Sequence, residues 1–391
     1  MKPDFSIRDH EIYLDNAATT LIDGEVVAAM IPYLEERYGN PETPYHLGRE
    51  AQEAVDKARE QVSELLGCLP DEIYFTSGGT ESNNWAIKGQ TQTRDKSCIV
   101  SSVVEHSSVR NVVDWLTLTF PEDYTSAFVE VDENGVVKMD ELKNEVSNGD
   151  VGLVSIQHSN NEVGTLQPVS EIAALCKEHG AVFHCDACQS YGKIPMDVDD
   201  EGYDMASMSA HKIHGPMGIG ALYIRSGTSV EPLLHGGGHE RGMRSGTLPV
   251  AQIVGFGKAA QMAYEAMKKE MPRLSKLVEG LAHDLNVKCG AVRNGSESNR
   301  LPNILNVSIP EVDASLLVGV LNKDGICIST GSACQSKKGV SAVLKAMGKE
   351  RADCESAVRI SLSRNTTAED VVHFVARLQT ALRELPKREV M

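Results

Sequence analysis

The chain has 391 residues, of which 41% are hydrophobic and 24% charged, and its formal net charge is −17. This length exceeds what one hydrophobic core usually serves, so we expect a large lobe and a smaller one. The negative charge argues against nucleic acid as a partner, and no run approaches the ~20 apolar residues that a membrane-spanning helix needs.

The first residues, MKPDFSIRDHEIYLD, alternate charged and apolar side chains and show no export signal. The nine cysteines are odd in number and irregular in spacing, unlike those of a disulfide framework. We therefore expect reduced thiols and a cytoplasmic location.

Apolar residues recur three or four apart between residues 50 and 66, and Gly67 follows, which predicts an amphipathic helix. Short β-prone runs then alternate with helical stretches, at residues 72–76, 98–103, 152–157, 181–187, 204–210 and 220–224. This alternation predicts an α/β fold whose central sheet is mostly parallel and covered on both faces.

A long helix is predicted from about Ile253 to Leu285. Beyond it, β-prone runs at 303–309 and 357–362 and a helix near 314–323 predict a smaller α+β lobe. We expect the large lobe to comprise residues 16–255 and the small lobe residues 1–15 and 256–391. Since no low-complexity linker separates them, the lobes should pack closely around a cleft.

Polar groups follow five of the predicted strands. Ser209, His211 and Lys212 come where the run at 204–210 ends, and a lysine there can form a Schiff base if burial or a neighbouring cation lowers its pKa. Taken alone, the same lysine fits an ordinary surface loop.

Gly79 and Thr80 open a helix after the first run, where free backbone N–H groups bind phosphate.

Asp186 lies at the end of the run at 181–187, where it could pair with a pyridinium nitrogen. A metal site is the alternative, because Cys185 and Cys188 have C-x-x-C spacing and His184 is adjacent. No second ligand pair of matching spacing accompanies them, and neighbouring strand residues point to opposite faces. The pattern therefore favours pairing of Asp186 with a ring nitrogen over a metal site.

His106 and Asn161 follow two further strands. The imidazole could stack on an aromatic ring or transfer protons, and the amide could donate to a phenolate oxygen. An isolated histidine or asparagine is more often structural, so neither motif decides alone. Together, the five strand ends supply groups that suit one anionic, aromatic cofactor.

These motifs resemble the fold-type-I pyridoxal-phosphate (PLP) enzymes and, more narrowly, the cysteine desulfurases. The resemblance runs from YLDNAATT at 13–20 to VRISLSRNT at 358–366. It implies a PLP-transferase fold, PLP as cofactor, and conversion of L-cysteine to L-alanine. The sulfur would pass as a persulfide to acceptors for iron–sulfur cluster assembly or other sulfur trafficking.

The resemblance also implies a role for each motif. Lys212 would bind the cofactor covalently, Asp186 would hold the ring nitrogen, and His106 would stack on the ring and act in catalysis. The remaining cofactor contacts implied by the family are Asn161 and Gln189 at the ring hydroxyl and Gly79, Thr80, Ser209 and His211 at the phosphate. Thr247 matches a residue that reaches the phosphate of a neighbouring subunit, which implies a homodimer.

STGSACQS at 329–336 resembles the loop that carries the sulfur-accepting cysteine of the family, here Cys334. Small residues at 331–333 would let this thiol swing toward the cofactor and away. Arg359 matches the arginine that binds the substrate carboxylate, and Asn40 would assist it. No resident metal is implied, although Cys334 could ligate an iron–sulfur cluster transiently.

Three segments differ from the family pattern. They are GNPETPYH in place of GNPSS, Met217 in place of a lysine, and a segment after Cys334 without Glu-Pro. The open alternatives are another PLP-dependent lyase or aminotransferase, such as a selenocysteine lyase, and a non-catalytic sulfur-relay or scaffold-binding subunit. Cys334 argues against a simple aminotransferase, and Lys212 and Asp186 argue against a non-catalytic subunit. The expected partners are L-cysteine, a second copy of the chain and a sulfur-acceptor protein.

Overall fold

The structure, a computed structural model, describes residues 11–93, 97–148, 150–330 and 340–386. The helices in these ranges are α1 Gly24–Glu35, α2 His46–Leu66, α3 Gly79–Thr91, α4 Ser107–Thr119, α5 Met139–Asn148, α6 Val169–His179, α7 Val198–Glu201, α8 Val250–Cys289, α9 Ala314–Lys323, α10 Ala342–Ala346, α11 Arg351–Glu355 and α12 Ala368–Glu384. The strands are β1 Ile12–Tyr13, β2 Ile73–Thr76, β3 Ser97–Ser102, β4 Tyr124–Val129, β5 Val151–Gln157, β6 Val182–Asp186, β7 Met205–Ser209, β8 Gly220–Ile224, β9 Val292–Asn294, β10 Ile304–Ser308, β11 Ile326–Cys327 and β12 Ala357–Ser361. Across these ranges, no helix is both long and apolar enough to cross a bilayer.

A seven-stranded sheet forms the centre of the large lobe, in the order β2-β8-β7-β6-β5-β3-β4. Its strands from β7 to β4 run parallel, whereas β8 is antiparallel to both of its neighbours. β5 and β7 are buried along their whole length, as strands covered by helices on both faces must be. The mostly parallel α/β fold is therefore confirmed. β4 was not predicted, because this edge strand is largely half-exposed and lacks an apolar run.

The carboxyl ends of the central parallel strands meet at one edge of the sheet. The register pairs Gln157 of β5 with Asp186 of β6, and Asp186 with Ser207 of β7. In open α/β sheets, ligand-binding side chains gather at such an edge. The segments that follow these strands are thus brought together.

The small lobe has its own sheet, in which β10 pairs antiparallel with β9 and β12. The long helix α8 contributes to both lobes. Its first half, from Ile253 to Met267, packs into the core of the large lobe, and its second half, from Leu274 to Leu285, packs into that of the small lobe. The boundary at residue 255 stays a prediction, since α8 continues through it.

Residues 12–20, which we call the N-terminal strap, connect the two lobes. On the small lobe, the side-chain amide of Asn16 donates to the carbonyl of Ser361 at 2.8 Å. On the large lobe, the backbone N–H and the hydroxyl of Thr20 both donate to the carbonyl of His211, at 3.0 and 2.9 Å. The carbonyl groups between these anchors are therefore fixed beside the turn that follows β7.

A buried ion pair fastens the loop that follows β8. The Glu240 carboxylate accepts hydrogen bonds from Arg59 Nη1 and Nη2, at 2.9 and 2.7 Å, and from the N–H of Phe75 at 2.8 Å. Glu240 has a φ of 50°, a left-handed conformation that persists only where contacts enforce it. A second ion pair, Arg244–Glu81 at 2.8 Å, ties the same loop to α3.

We predict that Glu240→Ala lowers the free energy of unfolding by roughly 3–5 kcal/mol, because it strands the buried Arg59 charge. Urea denaturation measures this loss. Glu25→Ala is the control, since Glu25 forms an exposed pair with Lys258 and should cost less than ~1 kcal/mol. Equal losses in the two variants would contradict the assigned role of the buried pair.

Candidate active site

Lys212 ends a short 3-10 turn, Ala210–Lys212, that directly follows β7. Its Nζ donates to the carbonyls of Ala17 and Ala18 of the strap, at 2.6 and 2.7 Å. Burial and then the nearby Arg359 charge lower the pKa of Lys212 to about 8. The amine is therefore neutral in a useful fraction of molecules near physiological pH, as a nucleophile requires.

Asp186 is the last residue of β6 and is buried. Its Oδ2 accepts from Asn83 Nδ2 at 2.8 Å, and its Oδ1 accepts from the N–H of Cys188 at 3.0 Å. A carboxylate that accepts hydrogen bonds on both oxygens keeps a fixed orientation. Asp186 can therefore present negative charge to a ring nitrogen at the sheet edge.

A network continues from Asn83 to His106. Asn83 Nδ2 also lies 2.8 Å from Ser108 Oγ, which in turn lies 2.7 Å from His106 Nδ1. The N–H of Ser108 donates to His106 Nδ1 at 3.1 Å, so in the neutral ring Nε2 carries the proton. Sequence reasoning missed Asn83 and Ser108, although both stand inside the motifs TSGGTESNN and VVEHSSV.

Three of the four groups expected to bind phosphate, Gly79, Thr80 and Ser209, lie around the start of α3. A Cβ on Gly79 would collide with Cys188 Sγ and would lie 3.8 Å from Ser209 Cβ, so these three residues are neighbours. Helix α3 begins at Gly79, and its first N–H groups have no partner inside the helix. Thr80 is exposed in the same first turn.

His211 has its Nδ1 3.1 Å from the hydroxyl of Thr19, a residue of the strap. Burial, followed by the charges of Lys212 and Lys193, lowers the pKa of His211 to about 4. The imidazole is therefore neutral at physiological pH, so it offers one N–H donor rather than a positive charge.

Arg359 lies on β12 and is only 2% exposed. Its Nη2 donates to Asp15 Oδ1 at 2.7 Å and its Nη1 donates to the carbonyl of Asn161 at 2.9 Å. Among the residues that the structure describes, its buried Nε has no hydrogen-bond partner. The structure thus joins Arg359 to Asn161, and it adds Asp15, which sequence reasoning did not identify.

Gln189 also lies at the site. Its Nε2 donates to the Ala17 carbonyl at 2.9 Å, and its Oε1 accepts from Lys193 Nζ at 3.1 Å. Gln189 and Lys212 therefore share one acceptor, and the contact of Gln189 with a ring hydroxyl stays a prediction.

Two predicted residues have no described contact with this group. Asn40 Oδ1 accepts from the N–H of Glu42 at 3.1 Å, which holds the amide in its own turn. Thr247 is exposed on the loop after Arg244. Their predicted roles toward substrate and a second subunit stay predictions.

Cys334 and its small neighbours at 331–333 lie outside the described residues. The positions that flank them are described on both sides. Ser329 pairs with Arg359 through two backbone hydrogen bonds of 3.2 and 2.7 Å. Ser341 donates to Glu162 Oε2 at 2.6 Å. The described residues on the two sides of this segment thus contact Arg359 and Glu162.

The C-x-x-C pair is not arranged as a metal site. His184 uses both ring nitrogens, with Nδ1 2.9 Å from Ser155 Oγ and Nε2 2.9 Å from Ser207 Oγ. Burial lowers the pKa of His184 to about 4 and raises the pKa of Cys185 and of Cys188 well above the ordinary value. Cys185 packs in the core, whereas Cys188 lies against Gly79.

Glu105 is a second buried carboxyl at this edge. Its oxygens accept from Ser102 Oγ at 2.5 Å and from the N–H of Gln157 at 3.0 and 3.1 Å. Burial raises the pKa of Glu105 to about 8, despite these donors. Its side chain is therefore protonated at neutral pH and adds no second charge beside Asp186.

These groups fit the expected cofactor. A reactive amine, an oriented carboxylate and an imidazole surround one edge of the sheet, and the open N-terminus of α3 can accept a phosphate. The buried Oδ1 of Asn83 lacks a partner among the described residues, which leaves an acceptor beside Asp186. This donor set suits pyridoxal phosphate, which combines a ring nitrogen, an aldehyde and a phosphate.

Comparison with known proteins gives matches along both lobes. The family model for class-V aminotransferases matches residues 12–374. The chain is similar to the cysteine desulfurase IscS of Dictyoglomus turgidum, with 42% identity over 380 residues, 96% of this chain and 95% of the relative. It is similar to the solved structure of a NifS-like protein, with a TM-score of 0.90 and 39% identity, covering 96% of this chain and 100% of that one. It is also similar to SspA in complex with cysteine, with a TM-score of 0.80 and 32% identity, covering 92% and 100%.

We predict that Glu105→Gln flattens the pH dependence of stability. Because folding raises the pKa of Glu105 to about 8, the folded chain holds a proton that the unfolded chain loses above the ordinary value of 4.5. The free energy of unfolding therefore falls as pH rises from about 4.5 to about 8. The glutamine has no proton to lose, so urea denaturation across this window should show a smaller decline.

Glu141→Gln is the matched control, because Glu141 is exposed and its pKa is lowered, chiefly by a hydrogen bond from the N–H of Glu130. In this variant, the free energy of unfolding should decline with rising pH at least as much as in the wild type. An unchanged pH dependence in Glu105→Gln would show that the carboxyl is ionised in the folded chain.

Proposed function

The chain belongs to the class-V aminotransferase family, and from this premise we infer that it is a PLP-dependent cysteine desulfurase. It converts L-cysteine to L-alanine and passes the sulfur on. The observation that carries this function is the convergence of Lys212, Asp186 and Arg359 at one edge of the sheet. The likeness to enzymes named cysteine desulfurase, and to a structure holding cysteine, supports L-cysteine as the substrate.

We assign the cofactor contacts to this chain's residues as follows. Lys212 would attach the cofactor, Asp186 would pair with the ring nitrogen, and His106 would lie against the ring face. The other contacts are Asn161 and Gln189 at the ring hydroxyl and Gly79, Thr80, Ser209 and His211 at the phosphate. When bound, pyridoxal phosphate withdraws electrons from the Cα of an amino acid, which makes the Cα proton acidic.

Lys212 is the base that removes this proton. Its lowered pKa gives a neutral amine that can accept a proton at physiological pH. The carbonyls of Ala17 and Ala18 can hold the resulting ammonium by hydrogen bonds, since both already accept from Nζ. The same residue then returns a proton as alanine forms.

Arg359 binds the substrate carboxylate. Its guanidinium is held by Asp15 and by the carbonyl of Asn161, so its side chain is oriented before the substrate arrives. A planar guanidinium can then offer its remaining N–H groups to both carboxylate oxygens. We propose that Asn40 assists from the turn before α2.

Cys334 accepts the sulfur. Its thiolate attacks the substrate sulfur, a new S–S bond forms as the Cβ–S bond breaks, and Cβ keeps the electron pair and takes a proton to give alanine. Cys334 is five residues beyond Ser329, and five extended residues span at most ~18 Å. Because Ser329 pairs with Arg359, this reach extends into the site.

We further propose that the persulfide supplies an acceptor protein such as an iron–sulfur scaffold, and that Cys334 can ligate a cluster transiently during delivery. Thr247, exposed on its loop, would complete the phosphate site of a second subunit in a homodimer. A cytoplasmic location agrees with the eight described cysteines, which are free thiols.

We predict that Cys334→Ser abolishes alanine formation from L-cysteine while PLP absorbance is retained, because the variant lacks only the sulfur acceptor. Mass spectrometry should find a persulfide on Cys334 in the wild type. Cys327→Ser is the control and should keep activity, since burial raises the pKa of Cys327 to about 11. Full turnover by Cys334→Ser would disprove the assigned role, and a chain that never binds PLP would disprove the enzyme.

We predict that Arg359→Lys raises the KM for L-cysteine by roughly tenfold or more, because a lysine cannot offer a bidentate fork to the carboxylate. Steady-state assays of alanine formation measure this change. Arg300→Lys is the matched control, as Arg300 is a buried arginine of the small lobe paired with Glu279. An unchanged KM in Arg359→Lys would remove Arg359 from substrate binding.

A further inference from the structure

Lys193 is a buried lysine that the sequence did not single out. It ends the turn after β6 and is 6% exposed. Among the described residues, its Nζ has a single hydrogen-bond partner, the neutral amide oxygen of Gln189 at 3.1 Å. Lysine is rarely buried unless it is paired with an acid, so this position calls for a functional explanation.

A continuous path of hydrogen bonds leads from Lys193 to Lys212. Lysine can only donate, so Lys193 Nζ fixes Oε1 as the oxygen of Gln189 that faces it. The Nε2 of Gln189 must then face the Ala17 carbonyl, to which it donates at 2.9 Å. That carbonyl also accepts from Lys212 Nζ at 2.6 Å. Lys193 thus orients an amide that shares its acceptor, the Ala17 carbonyl, with the amine of Lys212.

The two lysines also line one cavity. Its volume is about 40 Å³, and its wall combines apolar side chains of α8, such as Ala263, Met267 and Leu274, with the polar side chains of Asn16, Thr20 and Asn303. The two lysine side chains therefore border a common space as well as being linked through Gln189.

We propose that Lys193 is a positioning residue for Lys212: it orients the Gln189 amide that shares the Ala17 carbonyl with Lys212, and its positive charge opposes an ammonium on Lys212. This inference rests on the proposed function only in treating Lys212 as the lysine that attaches the cofactor. It assigns Lys193 no contact with substrate or cofactor.

The charges around Lys193 agree with this role. Burial, then the charges of Lys212 and Arg359, lower the pKa of Lys193 to about 7. Cys188 lies near both lysines as a neutral thiol, because burial raises its pKa well above the ordinary value. The other titratable groups facing the two lysines are His211 and His214, both neutral, Asp15 and Asp186, and, across the cavity, Glu270 and Arg364.

The two amines therefore titrate as a pair. Below neutrality both tend to be protonated, and each charge disfavours the other. As pH rises, the pair loses its first proton, and in a fraction of the molecules that proton comes from Lys212. The neutral form of Lys212 consequently appears at a lower pH than it would without Lys193.

The test measures the reactivity of Lys212 in the full-length chain after PLP is removed. Acetic anhydride is added at a series of pH values, and mass spectrometry quantifies acetylation at Lys212, since only the neutral amine reacts. We expect Lys193→Met to move the midpoint of this profile upward by about half a pH unit or more. Lys193→Arg keeps both the charge and the donor, so its midpoint should stay at or below that of the wild type.

Tyr191→Phe is the matched stability control. It removes a buried hydrogen bond in the same turn, from Tyr191 to the carbonyl of Val62 at 2.9 Å, without touching Gln189. It should lower the stability and leave the midpoint unchanged. Equal shifts in Lys193→Met and Lys193→Arg, or no shift in Lys193→Met, would overturn the inference.

The labelling does not depend on turnover. A shifted midpoint in a chain that fails to desulfurate cysteine would preserve the role of Lys193 and reject the proposed function. Normal desulfuration with an unshifted midpoint would preserve the proposed function and reject the role of Lys193. The two ideas can therefore fail separately.

Discussion

The site depends on the hydrogen bonds from Lys212 Nζ to the carbonyls of Ala17 and Ala18. Lys212 belongs to the large lobe, but these carbonyls lie in the N-terminal strap, which is anchored to β12 of the small lobe through Ser361. At its other end, the strap is hydrogen-bonded through Thr20 to the turn that carries Lys212. The catalytic amine is thus placed only when both lobes and the strap between them have formed.

At this edge of the sheet, burial selects the neutral form of several titratable groups. Glu105 keeps its proton because burial raises its pKa, while His184 and His211 lose theirs because burial lowers their pKa. In a medium of low dielectric, each additional charge would be costly unless it were paired. The side chains of Asp186 and Arg359 are each oriented by at least two hydrogen bonds. Their polar atoms therefore have fixed positions relative to whatever binds between them.

Sequence reasoning identified the residues expected to react or to contact the cofactor better than the residues that hold them in position. Lys212, Asp186 and the start of α3 could be predicted because each follows a β-prone run within a few residues, and the carboxyl ends of parallel strands must converge. Asn83 and Asp15 could not, since their partners stand 103 and 344 residues away in the chain. Lys193 was not identified for a related reason. Its burial depends on the packing of the turn after β6 against Lys212 and α8, and no local sequence pattern indicates that packing. Asn40 and Thr247 were predicted to contact the substrate and a second subunit, and both roles stay predictions.

Helix α8 gives the two lobes a common mechanical element. Its 40 residues would extend about 60 Å, and this one helix contributes side chains to both hydrophobic cores. Rotation of one lobe against the other must therefore bend or twist a helix rather than swing a linker. Pro272 lies where the helix passes from one core to the other, and its missing N–H makes that turn the softest point along the rod. The backbone of α8 at Pro272 is thus the place where a relative rotation of the lobes would be absorbed, and the strap, which is hydrogen-bonded to both lobes, would follow that rotation.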